Sequence, residues 1–164
     1  MALAVPEPLG AQHQSVDFNS GIASLDEWLK RRALANQASG AARTFVVCEE
    51  NKVVGYYALA SGAVTVVATP GRFRGNMPNP IPVAVLARLA VDRAHQGCGL
   101  GRALVRDGVR RVLHAADLIG IRGILVHAAS VDAKAFYLGL GFDVSPIEPM
   151  ILMVTLADVR KIIE

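Results

Sequence analysis

Residues 86–106 decide the fold, and they read Leu86-Ala-Arg-Leu-Ala-Val-Asp-Arg-Ala-His-Gln-Gly-Cys-Gly-Leu-Gly-Arg-Ala-Leu-Val-Arg106. The apolar run from Val83 to Val91 is short enough for one strand, and a helical pattern begins directly after Gly97, Gly99 and Gly101. Glycines at alternate positions leave backbone N–H groups uncovered, and the first turn of a helix adds unpaired donors and a positive dipole end. The stretch therefore predicts a strand, a glycine-rich turn and a helix N-terminus that together bind phosphate.

The spacing of this turn excludes two common phosphate loops. A dinucleotide-binding fingerprint needs a third glycine where this chain has Arg102, and a Walker A loop needs Gly-Lys-Ser or Gly-Lys-Thr, which the sequence lacks. Because a glycine-rich turn can also be purely structural, the rest of the chain must supply the context for the pattern from Gln96 to Gly101.

Length and composition set the outer limits. A chain of 164 residues predicts one domain, residues 1–164, with a core that needs neither disulfide nor metal. Apolar residues make up 52%, yet no uninterrupted apolar run approaches the ~18 residues of a membrane span. The first cation is Lys30, so the basic start of a signal peptide is missing. Cys48 and Cys98 lack metal-ligand spacing, and we expect reduced thiols, no metal site and a cytoplasmic location.

Positive charge is concentrated in the middle of the chain. Residues 41–127 carry 11 Lys and Arg against 5 Asp and Glu, whereas the two flanks together carry 6 against 9. Such a block suits a polyanion, either the phosphates of a cofactor or a nucleic acid backbone, although an ordinary solvated surface would give the same count. The triplet Lys30, Arg31 and Arg32 has the same two interpretations, helix-dipole complementation or contact with nucleic acid phosphates.

Three local signals organise the first half of the chain. Ser24–Glu27 has the pattern of a capping box and predicts a helix that starts at about Leu25. The β-rich runs Arg43–Glu50 and Lys52–Ala60 meet in a short connection and predict a hairpin. Gly62 interrupts the second run and predicts a bulge.

The second half predicts a crossover and a closing sheet. Residues 70–82 hold four of the eight prolines and predict a loop that cannot join the sheet. A helix that ends near Gly120 and a buried strand over Gly123–Ala129 predict a parallel partner for the central strand. A compact helix from Asp132 should stop at Gly141. Closing strands in 142–145 and 150–156 and a short terminal helix in 158–163 complete the prediction.

Two motifs resemble the signatures of one family. Gln96-Gly-Cys-Gly-Leu-Gly101 resembles the Q/R-x-x-G-x-G/A loop of the GNAT N-acetyltransferases, and Ala133–Phe142 matches their second pattern, Ala-x-x-Phe-Tyr-x-x-x-Gly-Phe. The resemblance implies an α/β (α+β) fold, namely a single GNAT-like domain with a mixed central sheet flanked by helices. In that fold the parallel central strands splay apart, and the gap holds the pantetheine of acetyl-CoA.

The resemblance also implies which residues bind the coenzyme. The backbone of Leu89 and Val91 would pair with pantetheine, and the glycine loop would hold the pyrophosphate. The implied cofactor-binding set is Leu89, Ala90, Val91, Gln96, Gly97, Cys98, Gly99, Leu100, Gly101, Arg102 and Phe136. Tyr137 would stand beside the thioester sulfur, where a phenol can protonate a departing thiolate, an effect worth typically 10²–10⁴-fold. The alternative is a half-buried aromatic side chain that only packs beside Phe136.

A wider resemblance covers nearly the whole chain. Ser24–Leu29, Arg43–Val46, Val54–Leu59 and Arg88–Asp92 are similar to the acetyltransferase toxins of bacterial toxin–antitoxin pairs. The resemblance implies acetylation of the α-amino group of aminoacyl-tRNA, a block of translation, a ribbon-helix-helix antitoxin that neutralises the toxin and could bring the complex to operator DNA, and a homodimer. The candidates for tRNA contact are Lys30, Arg31, Arg32, Arg72, Arg74 and Arg88.

The lack of an acidic residue on the central strand independently favours aminoacyl-tRNA as the acceptor. Ile81–Val91 contains no Asp or Glu that could serve as a general base on the central strand. A lysine with a pKa of about 10.4 is only ~0.1% neutral near pH 7.4, whereas an α-amine at about 7.7–8.0 is ~20–35% neutral. A missing base is therefore less costly for aminoacyl-tRNA, and Asp92 and His95 remain candidate bases. Two alternatives stay open: a GNAT enzyme that acetylates a protein N-terminus or a small amine, and a non-catalytic acetyl-CoA-binding module.

Overall fold

The computed structural model describes residues 5–163, which form seven strands and six α-helices. The strands are β1 (Glu7–Pro8), β2 (Arg43–Glu49), β3 (Lys52–Val64), β4 (Ile81–Val91), β5 (Gly123–His127), β6 (Asp143–Val144) and β7 (Ile151–Thr155). The helices are α1 (Ala23–Arg31), α2 (Ala33–Ser39), α3 (Gly71–Arg74), α4 (Leu100–Ala116), α5 (Val131–Gly139) and α6 (Leu156–Val159). The sheet order is β1-β2-β3-β4-β5-β7-β6. This mixed arrangement confirms the predicted α/β class.

The chain divides into two compact units. The first unit contains the chain up to Ala60 together with Ala87–Gly108, and the second contains Ser61–Leu86 together with the chain from Val109 onward. Strands β3 and β4 each pass from one unit into the other.

The first unit is built on an antiparallel hairpin. Strands β2 and β3 pair antiparallel from Glu49 opposite Lys52, and the two turn residues Glu50 and Asn51 have φ of 52° and 68°. Positive φ at both turn positions suits the right-handed twist of a two-residue hairpin, so the predicted connection is confirmed. A bulge occurs on β3 near Val54, because Val47 pairs with Gly55 whereas the next residue pairs with Val53.

The second unit contains the parallel strand pair. Ala84–Leu86 pairs with Ile124–Val126 in parallel, and this register ends five residues before β4 ends at Val91. Strand β7 then pairs antiparallel with both β5 and β6. The parallel crossover through helix α4 is therefore confirmed. One cluster in the core of this unit contains Phe73, Ile81, Val83 and Met153.

One prediction in the β-rich part was wrong, and another stays a prediction. Strand β3 runs through Gly62 to Val64, and the bulge expected there stays a prediction. A Cβ atom there would lie 2.8 Å from Cγ2 of Val85, so the glycine serves close packing between neighbouring strands. The segment 70–82 does join the sheet at its end, because β4 begins at Ile81. Pro82 lies one residue inside the strand, where it needs no N–H, and its carbonyl accepts a hydrogen bond from the backbone N–H of Arg122 at 2.9 Å.

The helix boundaries were predicted with mixed success. Helix α1 starts at Ala23 with no side-chain cap, so the Ser24 capping box was wrong. The buried Asp26 instead accepts from the backbone N–H and the hydroxyl of Ser20, at 3.0 and 2.7 Å. Helix α4 ends at Ala116, before the predicted end near residue 120. Gly141 has φ of +103° after the end of α5, which confirms it as the helix stop.

Among the described residues, no helix has both the length and the apolar character needed to cross a bilayer. The same part of the chain holds no cluster of three His, Cys, Asp or Glu side chains suited to a metal ion.

Candidate active site

The glycine loop is an exposed segment with a left-handed backbone at two positions. Gly97 and Gly99 have φ of +80° and +88°, a conformation that costs residues with a side chain roughly 1–2 kcal/mol each. A Cβ atom at either position would meet nothing within 4 Å, so conformation and not crowding requires glycine there. Gly101 differs, since it already lies in the first turn of α4.

The backbone donors of this loop are free. In the part of the chain that the structure describes, no backbone N–H from Gly97 to Arg102 has a hydrogen-bond acceptor, and the first bond of α4 runs from Ala103 N–H to the Gly99 carbonyl at 3.0 Å. Three of these six consecutive donors precede the 17-residue helix α4 and three lie in its first turn, where the helix dipole places positive charge. The arrangement fits a pyrophosphate group, which accepts hydrogen bonds at every peripheral oxygen.

The side chain of Gln96 braces the loop. Its amide nitrogen donates to the carbonyl oxygens of Ser20 and Val91, at 2.9 and 2.8 Å. The backbone N–H of Arg93 donates to the Asn19 carbonyl at 2.8 Å, which ties the same two segments together again. Gln96 therefore orients the loop through its side chain, and the Val91 carbonyl is already engaged.

Asp92 and His95, the two candidates for a general base, both form hydrogen bonds that hold the turn after β4. Asp92 accepts from the backbone N–H of Asn19 through Oδ1 at 3.0 Å and from that of Ala94 through Oδ2 at 3.1 Å. Both carboxylate oxygens of Asp92 are thus engaged by the turn. His95 Nε2 lies 3.3 Å from Glu49 Oε2, and the His95 carbonyl accepts from the Cys98 thiol at 2.8 Å. The geometry favours a role for both residues in shaping the loop.

Tyr137 is a buried phenol with an unpaired hydroxyl. It lies in α5, whose first turn is capped by the Ser130 hydroxyl, which accepts from Ala133 N–H at 3.0 Å. The ring is 6% exposed and packs against Phe136 and Phe142, with centroids at 5.2 and 5.5 Å. No described residue forms a hydrogen bond with its hydroxyl. Burial raises the pKa of Tyr137 well above its usual range, so the side chain keeps its proton at neutral pH.

The remaining cofactor candidates differ in exposure. Leu89 is half-buried on β4, and Ala90 is buried in the core of the first unit. Cys98 and Arg102 are exposed, whereas Leu100 is partly buried at the start of α4.

The six basic candidates for tRNA contact differ in the groups that their side chains contact. Arg31 pairs with Glu27 at 2.6 Å, and Arg72 pairs with Asp158 at 3.2 Å. Arg88 has no charged partner among the described residues and lies over the ring of Trp28. The other members of the set, Lys30, Arg32 and Arg74, are exposed on the surface of their units, and Arg74 donates to the Thr69 carbonyl.

Comparison with known families decides the identity of the chain. Residues 40–144, more than half of the sequence, match the acetyltransferase (GNAT) domain family. The chain belongs to the GNAT acetyltransferases. This GNAT match contains the glycine loop and Tyr137, the two features that carried the sequence resemblance.

Relatives of this GNAT chain share nearly its full length. A tRNA-acetylating toxin of Mycobacterium tuberculosis (strain H37Rv) is 49% identical over 160 residues, which cover 98% of this chain and 96% of the relative. AtaT in complex with acetyl-methionyl-tRNAfMet has a TM-score of 0.89 at 27% identity, with 99% of this chain and 100% of AtaT covered.

Two further solved GNAT structures carry other partners. A tyrosine-to-phenylalanine mutant of the AtaT toxin, bound to the C-terminus of the antitoxin AtaR and to acetyl-CoA, has a TM-score of 0.83 at 25% identity, with 97% and 96% of the two chains covered. The KacTA–DNA complex has a TM-score of 0.80 at 28% identity, with 98% and 97% covered.

Sequence reasoning missed three features of this GNAT site. Ser20 and Asn19 brace the loop from more than 70 residues away, and no local pattern indicates such a contact. Ser130 follows the N-cap preference for serine and could have been found from its position before α5. The contact between Trp28 and Arg88 joins residues that are distant in sequence and could be seen only in the fold.

Proposed function

We propose that this GNAT enzyme transfers the acetyl group of acetyl-CoA to the α-amino group of aminoacyl-tRNA and thereby blocks translation. The run of free N–H groups from Gly97 to Arg102 carries the proposal for the coenzyme. The 49% identity to a tRNA-acetylating toxin, together with the likeness to AtaT bound to acetyl-methionyl-tRNA, supports the acceptor.

The loop binds the diphosphate of the coenzyme. Backbone N–H groups of residues 97–102 donate to its oxygens, and the exposed guanidinium of Arg102 adds a positive charge. Gln96 keeps these donors in place through its bonds to Ser20 and Val91. The backbone of Leu89–Val91 and the ring of Phe136 complete the binding set. When bound, acetyl-CoA supplies a thioester whose acyl carbon is open to attack by an amine.

Tyr137 acts as the general acid. The C–N bond to the α-amine forms while the C–S bond breaks, and the Tyr137 hydroxyl gives its proton to the departing sulfur. The attacking amine loses one proton in the same reaction, and this proton restores the phenol through solvent. Burial raises the pKa of this phenol, so the donor form is present over the whole physiological pH range.

The acceptor needs little help from a base. An aminoacyl ester has an α-amine that is already neutral in substantial fraction near pH 7.4. Asp92, the nearest carboxylate in sequence, is engaged by two backbone N–H groups, which supports a mechanism without it. Lys30, Arg31, Arg32, Arg72, Arg74 and Arg88 contribute contacts to tRNA phosphates.

The relatives also support proposals for the partners of this enzyme. AtaT binds the C-terminus of its antitoxin, and the KacTA complex binds DNA. We accordingly propose a ribbon-helix-helix antitoxin as partner, operator DNA as a target of the complex, a homodimer, and action in the cytoplasm, where charged tRNA is found. We also propose that residues 1–164 form a single acetyltransferase domain.

Transfer of radiolabelled acetyl groups tests the proposal. The purified chain is incubated with labelled acetyl-CoA and with charged tRNA, uncharged tRNA, N-terminal peptides or small amines. Label on charged tRNA alone is the expected result. Label on peptides or amines alone would instead identify an enzyme for those acceptors, and coenzyme binding without any transfer would identify a binding module.

A further inference from the structure

Arg88 and Arg106 each have a buried Nε without a partner among the described residues, and of the two only Arg88 also lies over an aromatic ring, that of Trp28. Within residues 5–163 Arg88 forms neither an ion pair nor a hydrogen bond. By contrast, Arg31 pairs with Glu27. An uncompensated guanidinium that is half-buried retains a strong tendency to bind an anion.

An aromatic stack holds this guanidinium in place. The Cζ of Arg88 lies 5.1 Å from the centre of the Trp28 ring, within the range of a cation–π contact. Trp28 is itself stacked on Tyr56, with centroids 6.0 Å apart and planes 11° from parallel. Tyr56 is fully buried, and its hydroxyl donates to the Leu25 carbonyl at 2.6 Å. The indole therefore has a rigid support on the side of Tyr56, and the arginine is ordered before any ligand arrives.

The nearby acidic group of α1 does not serve as the counter-ion. Asp26 is buried, and its Oδ1 accepts from both the backbone N–H and the hydroxyl of Ser20. The phenol of Tyr56 stays neutral as well, because burial raises its pKa. Neither of these two groups therefore supplies a negative charge to Arg88.

The chemistry of the proposed acceptor limits which anion Arg88 can bind. The α-carboxyl of an amino acid is esterified in charged tRNA and carries no charge, so the phosphodiesters are the anions shared by every such substrate. We infer that Arg88 binds a phosphodiester at the acceptor end of charged tRNA and that Trp28 is the positioning residue that holds its guanidinium for this contact. The inference rests on the proposed function and identifies one defined contact among its basic candidates.

A comparison of two acceptor substrates distinguishes a phosphate contact of Arg88 from other roles of this residue. Charged tRNA carries phosphodiesters, whereas 3′-O-aminoacyl-adenosine presents the same α-amine on a nucleoside without phosphate. Arg88→Gln should raise the KM for charged tRNA about tenfold, as expected for the loss of one charge-assisted contact, and leave kcat unchanged. The KM for aminoacyl-adenosine and the Kd for acetyl-CoA should stay within about twofold. The slope of log KM against log salt for charged tRNA should fall by about 1.

Variants of Trp28 test the positioning role. Trp28→Leu should raise the KM for charged tRNA about threefold to tenfold, and Trp28→Phe, which keeps an aromatic face, should recover most of that loss. Arg88→Lys keeps the charge but loses the planar group, so it should fall between the unaltered chain and Arg88→Gln. Arg160→Gln removes an exposed arginine elsewhere and serves as the charge-matched control. If Trp28→Leu lowers the melting temperature strongly, Trp28→Phe and the Arg88 variants carry the test.

Three outcomes would overturn the inference. An unchanged KM for charged tRNA in Arg88→Gln would show that the residue makes no such contact. An equal loss with both acceptors would assign Arg88 to the amino acid or to folding. No labelling of charged tRNA by the unaltered chain would overturn the proposed function and this inference with it, whereas labelling that is indifferent to Arg88 would overturn the inference alone.

Discussion

The glycine loop and the surroundings of Tyr137 are built in contrasting ways. Gly97 and Gly99 are exposed, and the donors of the loop belong to the main chain. Tyr137 is a buried side chain that packs against two phenylalanine rings, and its hydroxyl forms no hydrogen bond with the described residues. A substitution in the loop can abolish phosphate binding only by changing the backbone conformation. Removal of the Tyr137 hydroxyl alone is enough to remove the proton donor. Binding and chemistry should therefore fail separately.

The largest expected effect is that of Tyr137→Phe. Removing the proton donor should lower kcat by about 10²–10⁴-fold, because the thiolate would then leave without protonation. The Kd for acetyl-CoA should change by less than about twofold, since the ring and its packing remain. Single-turnover acetyl transfer and calorimetric titration measure the two quantities. A variant with full rate would remove Tyr137 from the mechanism.

A substitution in the glycine loop should instead weaken the binding of acetyl-CoA and leave the chemical step nearly unchanged. Gly99→Ala forces a side chain into a left-handed conformation, at a cost of about 1–2 kcal/mol. We expect the Kd for acetyl-CoA to rise about tenfold and the rate at saturating coenzyme to stay nearly constant. Gly71→Ala is the matched control, because a Cβ there also meets nothing within 4 Å and its φ is not positive. Equal behaviour of the two variants would contradict the role of the loop.

Changes to basic residues outside both regions should affect the KM for charged tRNA alone. Charge reversal of Arg72 and Arg74 should raise the KM for charged tRNA severalfold and leave acetyl-CoA binding intact. The effect should be smaller than that of Arg88→Gln, because Arg72 already pairs with Asp158 and Arg74 with the Thr69 carbonyl. Steady-state assays at two salt concentrations measure the difference. Equal losses for tRNA and for acetyl-CoA would refute this assignment.

The smallest effect concerns pH. A phenol with an ordinary pKa of about 10 would be half ionised at pH 10 and would lose half of its donor form. Burial raises the pKa of Tyr137, so the protonated form persists beyond that point. We expect kcat to change by less than about twofold between pH 8 and pH 10, in assays corrected for ester hydrolysis. A fall centred below pH 10 would show that another donor, or an exposed Tyr137, acts in the reaction.

Local signals predicted much of the fold and the backbone conformation of the glycine loop. The left-handed glycines of the loop, the hairpin turn at Glu50 and Asn51, and the helix stop at Gly141 each depend on residues close in sequence. The errors arose where distant residues compete with a local pattern. The Ser24 pattern gave way to the bond between Asp26 and Ser20, since that bond satisfies a buried carboxylate.

The supports of the site could not be predicted from the sequence. Gln96 and Ser20 are 76 positions apart, and Trp28 and Arg88 are separated by 60. Such contacts depend on which strand lies beside which helix, and a single sequence does not record that arrangement. The sequence supplied the candidates for binding and chemistry, but the residues that hold them in place became visible only in the fold.

The free N–H groups of residues 97–102 have one further consequence for turnover. Under the proposed function these donors bind only the diphosphate, which is identical in the acetylated coenzyme and in the free coenzyme left after transfer. The spent molecule therefore competes with fresh acetyl donor for the same amides, and product inhibition follows from the architecture of the loop. The output of the enzyme should thus track the cellular ratio of acetylated to free coenzyme A.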